Sequence, residues 1–162
     1  AGGDPAVPLN GGALKGLSGL AADYSDADID TLVRGGVTPL ECAGGVTSPV
    51  RGVTTRTKTG GVSDSTWREL TTILVVDDVI PAVRAALRSR FSRSKNTARN
   101  RAAIRSQVIV ELEKKLAAEI ISGYDEVRVS ASEEDPTVCL VEFGFSVAHG
   151  LNQVRLTVHI EI

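Results

Sequence analysis

Apolar and polar residues alternate most regularly at the end of the chain, over residues 138–162. In 138–148 the apolar residues occupy alternate positions from Cys139 to Val147. A turn at 149–152 follows, and five apolar residues then occupy alternate positions again: Val154, Leu156, Val158, Ile160 and Ile162. A period of two is the pattern of a strand with one buried face, so each part predicts a strand. The last strand must be covered by this domain or by another copy, because its free edge would otherwise promote aggregation.

A long helix is predicted over residues 97–122, with Gly123 as its stop, because apolar residues recur there at intervals of four. These residues are Ile104, Val108, Leu112, Leu116 and Ile120. We expect four residues of this stripe to be buried against Val141, Phe143 and Phe145, namely Ile104, Val108, Leu112 and Leu116. After the helix, a strand is predicted at 126–131 and an acidic turn at 133–136.

A second helix is predicted before the helix at 97–122, and it ends near Phe91. Asp77 and Asp78 can cap its start, and Pro81 would then lie in the first turn, where no backbone donor is needed. The preceding run 67–76 is rich in β-branched residues and is predicted as a strand.

The first third of the chain carries weaker signals. Residues 1–20 are Gly-rich with few apolar residues, which is typical of an extended segment that becomes ordered against another surface. Ser25 can cap a short helix that ends at the two glycines 35–36. Short strands are predicted at 37–40 and 46–57.

The order of these elements predicts an α+β fold. A small mixed β-sheet would pack against two long helices, with an extended Gly-rich N-terminal segment and a C-terminal arm that exchanges strands. We expect one domain in all, in which 1–61 supplies the N-terminal strap, short helix and strands, and 62–162 forms the C-terminal part. A length of 162 residues is sufficient for one domain with a core.

The sequence carries no signature of catalysis or of cofactor binding. It contains no phosphate-binding loop, dinucleotide fingerprint or nucleophile elbow. His149 and His159 have no carboxylate at a spacing that would orient an imidazole, and Cys42 and Cys139 lack metal-ligand spacing. We therefore expect no enzyme activity, cofactor or metal site. No run of eighteen apolar residues occurs, so no transmembrane helix is expected.

Positive charge is concentrated between residues 84 and 105. This segment holds eight of the eighteen basic residues, with no acidic residue between Asp78 and Glu111. The eight are Arg84, Arg88, Arg90, Arg93, Lys95, Arg99, Arg101 and Arg105. The segment is either a solvated helical corner or a surface that docks an acidic partner. A nucleic-acid-binding module is the alternative, but the segment offers only Phe91 for stacking and the net charge of the chain is −2.

Several stretches resemble the contractile tail sheath proteins of bacteriophages, and especially the sheaths of prophages and phage-tail-like bacteriocins of Gram-positive bacteria. The resemblance covers essentially the whole chain and depends on the order and number of these stretches. In the first half they are 8–11, 14–17 and 32–40; in the second half they are 66–70, 76–78, 103–107, 135–137 and 147–153.

The resemblance implies a structural protein that drives contraction during injection. Sheath subunits form six-membered rings stacked in a helix around a tail tube, joined by terminal arms that add strands to neighbouring sheets. Expected partners are therefore other sheath subunits, the tube, and baseplate and tail terminator proteins, in a virion tail or phage-tail-like particle assembled in the host cytoplasm. Outer domains and the N-terminal arm of complete sheaths are missing from this sequence.

Within that family this region lies next to the tube, so some of the cations are predicted to face an acidic tube surface. The seven candidates are Arg84, Arg88, Arg90, Arg93, Lys95, Arg99 and Arg101. The alternative is that they face neighbouring subunits or solvent. The five apolar residues of the last strand are the predicted inter-subunit contact.

Overall fold

The structure is a computed structural model that describes residues 3–17 and 19–150. These residues form two compact units. One, here called the helical unit, comprises residues 3–6 and Thr72–Ala148, and the other, the hairpin unit, comprises Val7–Thr71 with residues 149 and 150. Together they contain three helices and antiparallel strand pairs, which confirms the predicted α+β class.

The hairpin unit contains helix α1 (Asp26–Arg34), which starts and ends where local sequence signals predict. The Asp28 N–H donates to Ser25 Oγ at 3.3 Å, and the Ser25 N–H donates back to the Asp28 carboxylate at 3.1 Å. This capping box satisfies backbone donors that the first helical turn leaves free. The hydrogen bonds from Ser25 also hold the pKa of Asp28 below its ordinary value. Gly35 caps the other end of the helix.

Two short hairpins follow α1. Strands β1 (Leu40–Ala43) and β2 (Val46–Pro49) pair through a turn at Gly44 and Gly45, whose φ angles are +58° and +80°. Positive φ at both central residues defines a type I′ turn. Strands β3 (Lys58–Thr59) and β4 (Val62–Ser63) form the second pair.

The predicted bounds of the first two strands were wrong. β1 begins where the 37–40 prediction ends, and β2 covers only the first four residues of the 46–57 prediction. Beyond Pro49 the backbone bonds to scattered partners: the Val53 N–H donates to Thr38 Oγ1 at 3.0 Å, and the Thr54 N–H donates to the Arg68 carbonyl at 2.7 Å. Such bonds replace a continued ladder.

Helix α2 (Leu70–Phe91) corrects the predictions for 67–81. The predicted strand is helical from Leu70, and Asp77, Asp78 and Pro81 lie inside the helix instead of at its start. Val75, Val79 and Val83 recur at intervals of four and are at most 3% exposed. Packing of this stripe therefore outweighs the strand preference of β-branched residues. Pro81 is exposed, so the carbonyl that loses its helical donor lies on the side that water can reach.

Helix α3 (Ala98–Ala117) begins after Thr97 as predicted but ends five residues before the predicted end at 122. Glu119, not Gly123, takes the left-handed conformation, with φ +57°. Its N–H donates to the Leu116 carbonyl at 2.9 Å, and the Ile120 N–H donates to the Lys115 carbonyl at 3.0 Å. This pair of bonds is a Schellman motif with a glutamate where glycine is usual. Gly123 lies in the next strand.

Replacing Glu119 by glycine should therefore raise the free energy of unfolding by about 1 kcal/mol, because left-handed backbone is unfavourable for a residue with a Cβ atom. The Glu119 side chain is exposed, so little packing is lost. Denaturant unfolding followed by circular dichroism would measure the change. The neighbouring Ala118 has φ −86°, and Ala118→Gly should lower stability instead. If both substitutions destabilise equally, the backbone argument is incorrect.

The remaining strands are β5 (Ile121–Tyr124), β6 (Arg128–Ala131), β7 (Cys139–Glu142) and β8 (Phe145–Val147). β5 pairs with β8, and β6 pairs with β7. The strand predicted at 126–131 is confirmed as β6, and the acidic turn joins it to β7. The strand predicted at 138–148 is divided into β7 and β8 by residues 143 and 144.

The core of the helical unit lies between the two long helices and the strands. Its buried members are Val75, Val79, Val83, Val108, Leu112, Ile120, Ile121 and Val127. The predicted packing of the α3 stripe against the strands is confirmed for Val108 and Leu112, since Val141, Phe143 and Phe145 pack against this core. Leu116 is only half-buried against it, and Ile104 is half-buried but is not among the residues that pack against it. The two helices are also joined by an ion pair of 2.5 Å between Lys115 Nζ and the Asp78 carboxylate.

Candidate assembly surface

Strands β5 to β8 form one bent ribbon with unequal strands. The Asp125 N–H donates to the Gly144 carbonyl at 2.9 Å and so connects the β5–β8 pair to the β6–β7 pair. Ile121 faces Val147 and Arg128 faces Glu142, so seven steps along β5–β6 match only five along β7–β8. The β5–β6 strand therefore carries two extra residues as bulges, whereas β7–β8 carries none, although residues 143 and 144 belong to neither of its strands.

The outer edges of this ribbon differ in their capacity to pair. Among the described residues, no further strand is bonded to either edge. Bulges disrupt the spacing of backbone donors and acceptors, so the β5–β6 edge is a poor template for another strand. The edge of β7–β8, here called the regular edge because it carries no bulge, is the better template of the two.

An apolar groove of about 610 Å³ lies beside β7–β8 in the helical unit. Helix α2 contributes Ile80, Val83 and Leu87 to the groove, and the strands contribute Val141, Phe143 and Phe145, with Arg84 and Glu142 also in its lining. The alternating residues of 139–147 face this side and are half-buried, while Leu140, Glu142 and Ser146 are exposed. The predicted apolar face is thus formed, and the residues that the structure describes cover it only in part.

The basic segment 84–105, here called the basic corner, spans the end of α2 and the start of α3. Of the seven predicted tube-facing residues, six are exposed, and Arg101 is half-buried. Its guanidinium donates to the Asn96 Oδ1 at 2.9 Å, and Arg90 donates to the side chain of Gln107. Within the described ranges, none of the eight cations lies within ion-pair distance of a carboxylate. The corner therefore has no acidic partner of its own there.

A contact that the sequence did not reveal fixes the corner to the ribbon. The Asn96 amide donates to the carbonyls of Pro136 and Val138, at 2.8 and 3.1 Å. Asn96 thus connects the α2–α3 loop to the turn between β6 and β7. An asparagine between two helices predicts only a loop, and its partners lie forty residues away in sequence, so no local signal could have identified this contact.

Over the described ranges, no group of three histidine, cysteine, aspartate or glutamate side chains could hold a metal ion. No helix in that part of the chain is long and apolar enough to cross a membrane. His149 is exposed in a loop. His159 and the predicted inter-subunit residues Val154, Leu156, Val158, Ile160 and Ile162 lie outside the described residues.

Solved structures share this fold. A chain in the cryo-EM structure of the anti-feeding prophage baseplate is 12% identical, with a TM-score of 0.77, over 93% of this chain and 43% of that chain. The sheath tail protein from Desulfitobacterium hafniense is 14% identical, with a TM-score of 0.66, over 88% of this chain and 37% of that one. This chain therefore spans less than half the length of either protein. No curated protein matches it.

Identities as low as these show only a shared fold. A family model shows the family itself. The model of the phage tail sheath C-terminal domain matches residues 62–161, which is more than half of the chain. The match includes both long helices and the whole ribbon. The chain belongs to the phage tail sheath family and contains its C-terminal domain.

Proposed function

We propose that this chain is the polymerising part of a contractile tail sheath subunit, and that it joins subunits by adding a strand of one to the ribbon of another. The observation that carries the proposal is the regular edge of β7–β8 beside an apolar groove. A bare edge supplies backbone hydrogen bonds, and a groove next to it supplies sites for alternate side chains. Both are needed for specific strand addition.

The alternating stretch 154–162 supplies a strand of suitable length and pattern. It has nine residues, as does the segment 139–147 that contains β7 and β8, and in a strand its five apolar residues would share one face. Laid along β7–β8, that face would cover the groove. A contact between different surfaces of identical subunits does not close on itself and therefore propagates into a helical polymer.

The same proposal assigns this protein to a phage tail or phage-tail-like particle assembled in the host cytoplasm. Its partners are other subunits in helically stacked six-membered rings, the tail tube, and baseplate and tail terminator proteins. The subunit is proposed to perform no catalysis, because the energy of contraction would be stored in the arrangement of subunits. Contact of the basic corner with an acidic tube remains a prediction.

The nucleic-acid alternative is less well supported by the basic corner. Phe91, the only aromatic residue available there for stacking, is half-buried. Stacking on bases requires exposed rings, and cations alone give binding that falls steeply with salt. A titration with single- and double-stranded DNA at two salt concentrations would measure any such binding.

Deleting residues 157–162 from the full-length sheath protein should leave a soluble protein that forms no tubes, because the strand that joins subunits has been shortened by two thirds. Negative-stain electron microscopy would show hollow striated tubes for the unaltered protein and none for the truncated one.

A matched pair of variants separates strand addition from a general effect at the chain end. Val158→Asp with Ile160→Asp places charge on the apolar face and should prevent tube formation. Thr157→Asp with His159→Asp alters the polar face and should permit it. Tubes of normal length from the truncated protein would refute the proposed strand addition.

A further inference from the structure

A second apolar groove lies in the hairpin unit, beside α1. It has a volume of about 320 Å³, and its lining includes Leu20, Tyr24, Leu32, Val37 and Pro39. Tyr24 and Val37 are 52% and 48% exposed. Apolar surface of this kind is stabilised when a partner covers it. The groove is separate from the one beside β7–β8 and has no role in the strand addition proposed above.

The chain segment that contributes Leu20, Tyr24 and Leu32 to this α1 groove is rich in acidic residues. Residues 20–34 contain four aspartates and a single basic residue, Arg34, which pairs with Asp30 at 2.9 Å. Asp28 lines a shallow pocket that shares Tyr24 and Leu32 with the groove. Asp23 and Asp26 are exposed and, over the described ranges, form no ion pair. The groove is therefore an apolar surface with a negative rim.

The basic corner has the opposite character. It carries eight cations with no acidic residue among them, although the net charge of the chain is only −2. Positive and negative charges of the chain therefore lie on different surfaces, and neither sign is in large excess overall. Complementary surfaces on one chain favour head-to-tail association between copies.

We propose that the basic corner of one copy docks onto the α1 groove of a second copy. The proposal rests on the proposed function and deepens it, by naming a contact between subunits besides strand addition. The long aliphatic parts of arginine side chains can cover Tyr24 and Val37 while their guanidinium groups reach the aspartates. An arginine over the Tyr24 ring would add a cation–π contact, which this unit already forms between Arg56 and Trp67 at 5.4 Å.

The α1 groove suits the corner better than the other acidic surface of the chain does. The turn that holds Glu133, Glu134 and Asp135 is already attached to the corner of its own copy through Asn96. Those carboxylates are exposed, and none pairs with a cation of the corner. The α1 rim combines charge with an uncovered apolar surface, and that combination fits long arginine side chains.

A charge exchange in the 162-residue chain tests the contact. Sedimentation velocity at low salt should show weak association of the unaltered chain that is lost at high salt, because exposed charge pairs are screened. Asp23→Lys with Asp26→Lys should weaken association about tenfold, and so should Arg93→Glu with Lys95→Glu. An equimolar mixture of the two variants should recover much of the lost association, since each carries the surface that the other needs.

Controls make each outcome decisive. Asp77→Lys with Glu119→Lys alters two exposed acids away from the α2–α3 loop, changes the net charge equally and should leave association unaltered; an equal loss would show that net charge alone is responsible and would overturn the proposal. So would a chain that stays monomeric at low salt, or a mixture no better than its components. If the charge changes impair only the binding of the corner variant to purified tube protein, the tube is the partner of the basic corner and the proposal is overturned.

Strand addition and the docking contact can be tested independently of each other. The charge variants of the full-length protein retain residues 154–162, so they should still add strands, although their tubes should dissociate at lower salt. Loss of tubes on deletion of 157–162, with no effect of the charge variants, would reject the docking contact and retain strand addition. If the 162-residue chain associates as proposed but no full-length protein forms tubes, strand addition would be rejected and the docking contact retained.

Discussion

Replacing Leu112 by alanine should lower the free energy of unfolding of the helical unit by about 2–5 kcal/mol. Leu112 is fully buried on α3 and belongs to the cluster formed by α2, α3 and the ribbon. Its loss removes apolar contacts and leaves a cavity that the surrounding helices and strands can fill only in part. The unit has few aromatic residues, so its core depends on aliphatic packing of this kind.

Urea unfolding monitored by circular dichroism would measure the effect. Val110 provides a matched control, because it lies on the same helix and is 47% exposed. Val110→Ala should change the free energy of unfolding by less than about 0.5 kcal/mol. A loss of well under 1 kcal/mol for Leu112→Ala would mean that this stripe does not face the core.

Replacing Gly36 by alanine should destabilise the hairpin unit by about 3 kcal/mol. Gly36 is buried, has φ +80°, and follows the end of α1. A Cβ atom there would lie 2.6 Å from the Thr54 carbonyl oxygen and 2.9 Å from the Thr55 Cα. Since both atoms belong to the backbone, the clash can be relieved only by moving the chain.

Gly45 separates the two causes of this loss. It also has φ +80°, but an added Cβ atom would meet nothing within 4 Å. Gly45→Ala should therefore cost only about 1 kcal/mol, from backbone strain alone. Thermal unfolding of both variants would give the difference. Equal losses would show that the approach of Thr54 and Thr55 is not what requires glycine at position 36.

The sequence predicted best those features that depend on near neighbours. Ser25, which was predicted to cap α1, does so because its side chain bonds the backbone three residues away. The two glycines after α1 were correctly predicted to stop it. Their pattern does not show that backbone atoms of another segment approach Gly36 closely and do not approach Gly35 in this way.

Two helix ends could not be predicted because distant contacts determine them. The start of α2 depends on burying Val75 and Val79 against α3 and the ribbon, which overrides their strand preference. The end of α3 depends on Glu119 accepting an unfavourable conformation so that Ile120 and Ile121 can be buried. A window of a few residues shows neither the cost of these backbone conformations nor the burial that compensates for it.

The candidate assembly surface was predicted in part. Alternation over 139–147 identified the half-buried face, and the charge count identified the basic corner. Bulges in the opposite strand, the groove beside α2 and the α1 groove depend on which elements meet in space. Sequence reasoning therefore found what each surface is made of, but not what lies next to it.

The Asn96 amide has a thermodynamic consequence for assembly. It holds the loop of the basic corner against the carbonyls of the β6–β7 turn, so neither segment can become rigid without restricting the other. A strand bound along the ribbon and a partner bound at the corner would therefore share one entropic cost of ordering. Whichever binds first bears that cost, and the second then binds more tightly, by the same factor in either order. A lattice built from such subunits would grow cooperatively even though its individual contacts are weak.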